Sequence, residues 1–163
     1  MGKCNLVLDQ AWETRAIEWV AEEIKRHGLS RDKVGILQLS AEYSASMAQR
    51  LAHLVTAGNE PISIEVVDIP YDDEFVVQVH PDQMDPYETF IVVDSGCMSG
   101  RNFTNVSKVL TNYGVPIGNI LYCCLVCDFG SAFRPDICAL HYDGHTTMPH
   151  FWWECKTARF DHK

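Results

Sequence analysis

Basic residues are scarce in this chain of 163 residues: 13 Lys and Arg stand against 22 Asp and Glu, giving a formal net charge of −9. From Leu51 to Gly100 there is no Lys or Arg at all, while acids recur from Glu60 to Asp94. Such a surface is ill suited to nucleic acid or anionic membranes, both of which attract cations. No apolar run approaches the roughly 20 residues that span a bilayer. The first residues lack the apolar core of a secretion signal and already carry Asp9, Glu13 and Arg15. A cytoplasmic protein is therefore expected. Repeats, low-complexity tracts and linkers are also missing, so residues 1–163 read as one domain.

Cysteines number seven, an odd count that excludes full internal pairing. They sit within apolar runs such as Leu121-Tyr-Cys-Cys-Leu-Val-Cys127, which reads as buried thiols in a reducing compartment. Cys124 and Cys127 have the spacing of half a zinc or redox site. Residues three apart on a strand face opposite sides, however, which favours core thiols. His141, His145, His150 and Cys155 downstream keep a metal site as the alternative.

What is present is 47% hydrophobic residues with 21% charged, the profile of a globular chain. The spacing predicts helices over about Gln10–His27, Glu42–Thr56 and Phe103–Tyr113. Unbroken apolar runs predict strands at Val34–Leu39, Ile62–Val67, Phe90–Val93, Asn119–Val126 and Ile137–Tyr142, with short ones at Leu6–Leu8 and Phe75–Val79. Continuous apolar strands alternating with helices indicate an α/β fold around a mostly parallel sheet.

The most informative stretch is the strand that ends in Asp94-Ser-Gly-Cys-Met-Ser-Gly100 and runs directly into a helix. In open α/β sheets ligands bind beyond the carboxyl ends of strands. Gly96 and Gly100 allow tight turns, Ser99 offers a hydroxyl, and the amides of Arg101, Asn102 and Phe103 would point from a helix start at an anion. Asp94 is placed to accept ribose hydroxyls or approach hydrated Mg²⁺. The plainer alternative is a strand-to-helix turn capped by Ser99 or Asn102.

Phe90-Ile-Val-Val-Asp-Ser-Gly-Cys-Met-Ser-Gly-Arg-Asn102 resembles the phosphoribosyl-pyrophosphate motif of type I phosphoribosyltransferases, in which four apolar residues precede two acids and a Thr-Gly-x-Thr loop. The likeness runs over nearly the whole chain and is strongest towards the xanthine and hypoxanthine branch. Leu6-Val-Leu-Asp9, Val34-Gly-Ile36, Arg134-Pro-Asp136 and Phe151-Trp-Trp-Glu154 match its segments in order. The resemblance implies a central mostly parallel sheet flanked by helices with a small hood. It implies a 5′-phosphate on Ser99, Gly100, Arg101 and Asn102, and ribose on Asp94 and Ser95. It further implies Mg²⁺ by the catalytic Asp94, and a purine-like base between Cys127 and Trp153. A homodimer is implied as well.

Four positions depart from that pattern. Ser95 replaces the second acid, and Met98 stands where the purine branch carries an acid able to move a proton, which a thioether cannot do. Cys127 replaces a base-reading lysine. Gln38-Leu-Ser-Ala-Glu42 offers no cation for pyrophosphate, whose oxygens need positive partners. Asp72-Asp-Glu74 reads as a solvated acidic turn or a second Mg²⁺ site, with Tyr71 or Phe75 in a flap over the ligand. Glu154 is expected to cap its segment or meet a base edge. Cys97 lies in the loop without an identifiable base to activate it.

Three readings follow. The first is a diverged transferase moving ribosyl 5-phosphate between pyrophosphate and a purine-like base, with phosphoribosyl pyrophosphate as substrate. The second is a catalytically impaired nucleoside-monophosphate- or ribose-phosphate-binding regulator, and the third a scaffold that keeps only the fold.

Overall fold

The computed structural model describes residues 2–28, 33–39, 44–56, 64–69 and 84–157. The expected strand at Phe75–Val79, the acidic turn Asp72–Glu74, Tyr71 and the loop after Leu39 lie outside them.

The N-terminal strand β1 (Cys4–Leu8) leads into α1 (Gln10–Arg26). The carboxylate of Asp9 caps that helix by accepting the Trp12 amide at 2.7 Å, and Lys25 and Arg26 complement the dipole in its last turn. There follow β2 (Val34–Leu39), α2 (Ser44–Thr56), β3 (Ile64–Ile69) and β4 (Thr89–Cys97). The second half comprises α3 (Arg101–Asn112), a 3₁₀ turn at Ile117–Asn119, β5 (Ile120–Asp128), β6 (Ile137–Tyr142), β7 (Thr147–Phe151) and α4 (Trp152–Thr157).

Five strands form one sheet in the order β3-β2-β4-β5-β6, with every pair parallel. Burial on both faces explains why these strands read as unbroken apolar runs. On one face α1 and α2 bring Ile17, Val20, Ile24, Met47 and Leu51 against Ile36, Ile91 and Val93. On the other, α3 brings Phe103, Val106 and Leu110 against Leu37, Phe90 and Val92. The strand order reverses between β2 and β4, and crevices for ligands open at such points.

Several elements differ from the sequence expectation. The strand β4 does not stop at Val93 but carries Asp94, Ser95, Gly96 and Cys97 in its last turns of pleat. The segment at Phe151–Glu154 spans two elements: β7 ends at Phe151 and Trp152 opens α4. Strand β7 pairs in parallel with β1 as a separate two-stranded sheet, with Cys4 opposite Thr147 and Leu8 opposite Phe151.

Side-chain alternation on β5 also breaks. Leu125 and Val126 both join the core beneath α1 and α2, whereas Cys124 and Cys127 both join the core beneath α3. The expectation that these two thiols face opposite sides is thereby overturned. Strict period-two alternation slips by one residue where β4 and β5 approach the loop end of the sheet.

Candidate functional site

The loop between β4 and α3 is shaped by Gly100. Its φ of 80° lies in the left-handed region, and a Cβ there would come within 2.5 Å of the Phe133 Cβ. Only glycine meets both demands without strain. The segment at Ser131–Phe133 packs against this loop, with the Ala132 amide donating to the Ser99 carbonyl at 3.3 Å. Ser99 Oγ accepts the Arg101 amide at 3.3 Å, and no side chain caps α3. The Asn102 and Phe103 amides that follow are therefore presented at the loop rather than consumed by a side-chain cap.

Asp94 is the one acid nearly sequestered here, with 9% exposure. Burial raises its pKa to about 6, against hydrogen bonds from the Asn102 amide (3.2 Å) and the backbone of Gly96 and Ser95. Asn102 thus neither caps the helix nor turns its side-chain amide wholly to the loop; it holds the carboxylate. A carboxyl titrating near 6 can exist in either protonation state near neutral pH.

Two cavities flank Asp94. One, of about 220 Å³, is lined by the loop residues Met98, Ser99, Gly100, Arg101 and Asn102 together with Asp94. The other, of about 280 Å³, is lined by Asp94, Ser95, Val126, Phe151, Trp153 and Glu154 among others. Asp94, Gly96, Met98 and Asn102 belong to both. A polar, loop-bound compartment and an aromatic one therefore share a carboxylate at their junction.

Trp153 is brought to this junction, stacked on Phe151 with ring centroids 4.3 Å apart and planes 6° from parallel. Glu154 accepts the Phe151 amide at 2.8 Å, which caps the start of α4. Cys127 is not brought there. It has no exposed surface, lies beneath α3 with its thiol on the Asp128 carbonyl at 3.5 Å, and leaves Val126 to line the aromatic cavity. The slip in alternation is what turns Cys127 away, so the expected base contact through this residue is corrected.

Burial raises the Cys97 thiol rather than lowering it, and its sulfur meets Ser131 Oγ at 3.2 Å, as a packing thiol would. At the end of β2, Gln38 is buried with its amide oxygen lacking a hydrogen-bond partner, in register with Val93 of β4. Among the described residues no group of three or more His, Cys, Asp or Glu side chains is arranged to hold a metal ion. Asp94 with Ser95 fits a hard cation held mostly by water and substrate oxygens, as Mg²⁺ commonly is, and not a protein cage.

Glu13 is a further buried acid, close to the aromatic side of the site. It is 4% exposed on α1, accepts the Trp152 indole N–H at 2.6 Å, and lies 3.9 Å from the Arg50 guanidinium of α2. Desolvation raises its pKa, partly countered by Trp152 and Arg50. The signal was available: Glu13 falls on the same helical stripe as Ile17, Val20 and Ile24. An acid on an apolar stripe calls for a buried partner.

No family model matches the sequence, and no curated protein matches it. Solved structures do. A purine phosphoribosyltransferase from Pyrococcus horikoshii Ot3 is 20% identical, with 92% of this chain and 94% of that one covered at a TM-score of 0.69. The xanthine-guanine-hypoxanthine phosphoribosyltransferase of Helicobacter pylori is 14% identical, with coverage of 98% and 100% at 0.75. A Trypanosoma cruzi hypoxanthine phosphoribosyltransferase, solved with its product IMP, is 13% identical, with coverage of 80% and 75% at 0.59. With its parallel sheet, flanking helices and loop beyond β4, this chain has the fold of the type I phosphoribosyltransferases.

Proposed function

We propose that the protein is a diverged phosphoribosyltransferase that moves ribosyl 5-phosphate between pyrophosphate and a purine-like base. The observation that carries this reading is the pair of cavities joined at Asp94. A nucleoside monophosphate has the matching sequence of parts: an anion for the loop, a diol for the carboxylate and a flat base for the aromatic side.

In this reading the amides at the start of α3, Ser99 and Arg101 hold the 5′-phosphate, which fixes the position of the anomeric carbon. Asp94 and Ser95 accept and donate hydrogen bonds at the ribose hydroxyls. As the anomeric centre gains positive character, ionised Asp94 stabilises it electrostatically. Trp153 and Phe151 wall the base and exclude water beside it. Mg²⁺, when bound near Asp94 and Ser95, supplies positive charge against the pyrophosphate oxygens. The reading includes a cytoplasmic setting and a homodimer.

A second reading, a nucleotide- or ribose-phosphate-binding regulator without turnover, is favoured by Met98 in both cavities and by the burial of Cys127. Neither supplies a proton or a cation to a base. Calorimetry with phosphoribosyl pyrophosphate and Mg²⁺, followed by a screen of bases for pyrophosphate release, separates the two. Binding with release supports the transferase, and binding of a monophosphate without release supports the regulator. No binding of either at millimolar concentration defeats both. Ser99→Asp should abolish the binding by placing an anion where the phosphate sits.

A further inference from the structure

Three adjacent strands bring four cysteines to one face of the sheet. Cys97 closes β4, Cys124 and Cys127 share β5 through the slip in alternation, and Cys138 lies on β6. They do not form a metal cage but two in-register pairs, Cys97 opposite Cys127 and Cys124 opposite Cys138. In each pair strand register, with both residues on the same face, sets the two thiols next to one another. Neighbouring strands lie about 4.7–4.9 Å apart, inside the Cα separation of about 4.4–6.8 Å that disulfides span.

The two pairs differ in access. Cys97 and Cys127 lie on the inner strands β4 and β5 and are fully buried. Cys138 is only half-buried, and β6 is the edge of the five-stranded sheet. Its S–H donates to the Leu140 carbonyl at 3.2 Å. The neighbouring Cys124 thiol lowers the Cys138 pKa from its ordinary value, whereas burial and neighbouring thiols push Cys127 up to about 12. One half-buried, reachable thiol thus sits beside a fully buried one.

We propose that Cys124 and Cys138 are a reversible oxidation site, closed to a cross-strand disulfide by hydrogen peroxide. The Cys138 thiolate attacks one peroxide oxygen; the O–O bond breaks, leaving a sulfenic acid at Cys138 and hydroxide, which leaves as water on gaining a proton. The Cys124 sulfur then attacks the Cys138 sulfur. The S–S bond forms, the S–O bond breaks, and the departing hydroxide leaves as a second water with the Cys124 proton. Two electrons pass from the sulfur pair to the peroxide.

The site lies at the base of the segment that buttresses the phosphate loop. Residues 125–137 between the two cysteines include Ser131, Ala132 and Phe133, which meet Cys97, Ser99 and Gly100. A disulfide would close this segment into a ring anchored on both strands. The inference is independent of the proposed transfer chemistry, since neither Cys124 nor Cys138 lines either cavity beside Asp94.

The test uses the full reduced chain, folded, with hydrogen peroxide as oxidant. Remaining thiols are then alkylated in denaturant and mapped by mass spectrometry without reduction. The expected result is loss of two of the seven thiols, a cross-link joining Cys124 to Cys138, and full recovery with dithiothreitol. Cys138→Ser should leave Cys124 alkylatable after the same treatment. Retention of all seven thiols overturns the proposal. So does a link at Cys97–Cys127, a link through exposed Cys4 between chains alone, or accumulation of unlinked oxidised Cys138. Should Cys138→Ser fail to fold, the map of the unaltered chain decides by itself.

Discussion

The Trp152 indole donates a hydrogen bond of 2.6 Å to the buried carboxylate of Glu13, tying α4 to α1, and Arg50 of α2 approaches the other carboxylate oxygen at 3.9 Å. The residue after Trp152 is the wall of the aromatic cavity. Glu13 therefore helps set the position of Trp153 without itself lining that cavity.

Glu13→Ala removes the acceptor of the indole N–H, while half-exposed Arg50 stays solvated, and is expected to cost about 1–2 kcal/mol of stability. Glu13→Gln keeps an acceptor for Trp152 and should cost less. Burial raises the folded pKa of Glu13 above its ordinary 4.5, so the native state binds the extra proton. Stability from this group is present at low pH and falls as pH rises through the raised value. Urea titrations across pH should show that slope reduced in Glu13→Gln; an unchanged slope assigns it elsewhere.

Asp94→Asn is expected to trade binding for stability. In the free protein Asp94 titrates at about 6 against an ordinary 3.8, so ionising it costs stability as pH rises across that interval. Asparagine removes this cost, and between pH 4 and 8 the variant should gain on the order of 2–3 kcal/mol relative to the unaltered chain. Thermal melts at both pH values measure the gain. The same variant should lose the shift in melting temperature produced by a nucleoside monophosphate.

Gly100→Ala and Gly114→Ala separate backbone strain from crowding. Both positions have positive φ, at 80° and 83°, but a Cβ at Gly114 meets nothing within 4 Å while one at Gly100 strikes Phe133. Gly114→Ala should cost about 1 kcal/mol and Gly100→Ala about 2–4 kcal/mol. Equal losses in chemical denaturation would refute the packing described for the loop.

Trp153→Phe should retain the stack on Phe151 and most of the stability, whereas Trp153→Ala should lose about 3–5 kcal/mol. Under the proposed function, Trp153→Phe weakens monophosphate binding several-fold with little effect on inorganic phosphate. Equilibrium binding of the two ligands checks that split.

Much of this architecture is legible in the sequence because parallel strands buried on both faces announce themselves as apolar runs. Val34–Leu39 and Ile137–Tyr142 are such runs and appear as read. That Asp94 and Trp153 line the cavities beside the loop is foreshadowed in the sequence, since one sits at a strand tip beside a glycine loop and the other in an ordered series of segments. Cys127 was misplaced because a one-residue slip in alternation leaves no mark in local composition. The pairing of β7 with β1 was missed for a related reason. Thr147-Met-Pro-His-Phe151 is only partly apolar, and its partner lies at the far end of the chain.

That pairing has a temporal consequence. Ribosomal synthesis delivers β1 first, while its sheet partner β7 and the Trp152–Trp153 helix arrive after β6 has been made. The five-stranded sheet can assemble as its strands emerge, yet the aromatic compartment exists only once Phe151 and Trp153 have been translated. A nascent chain stopped after Tyr142 would present the loop at Ser99 without its aromatic wall. Under the proposed function, competence for a two-part ligand would therefore follow the emergence of all five strands of the main sheet.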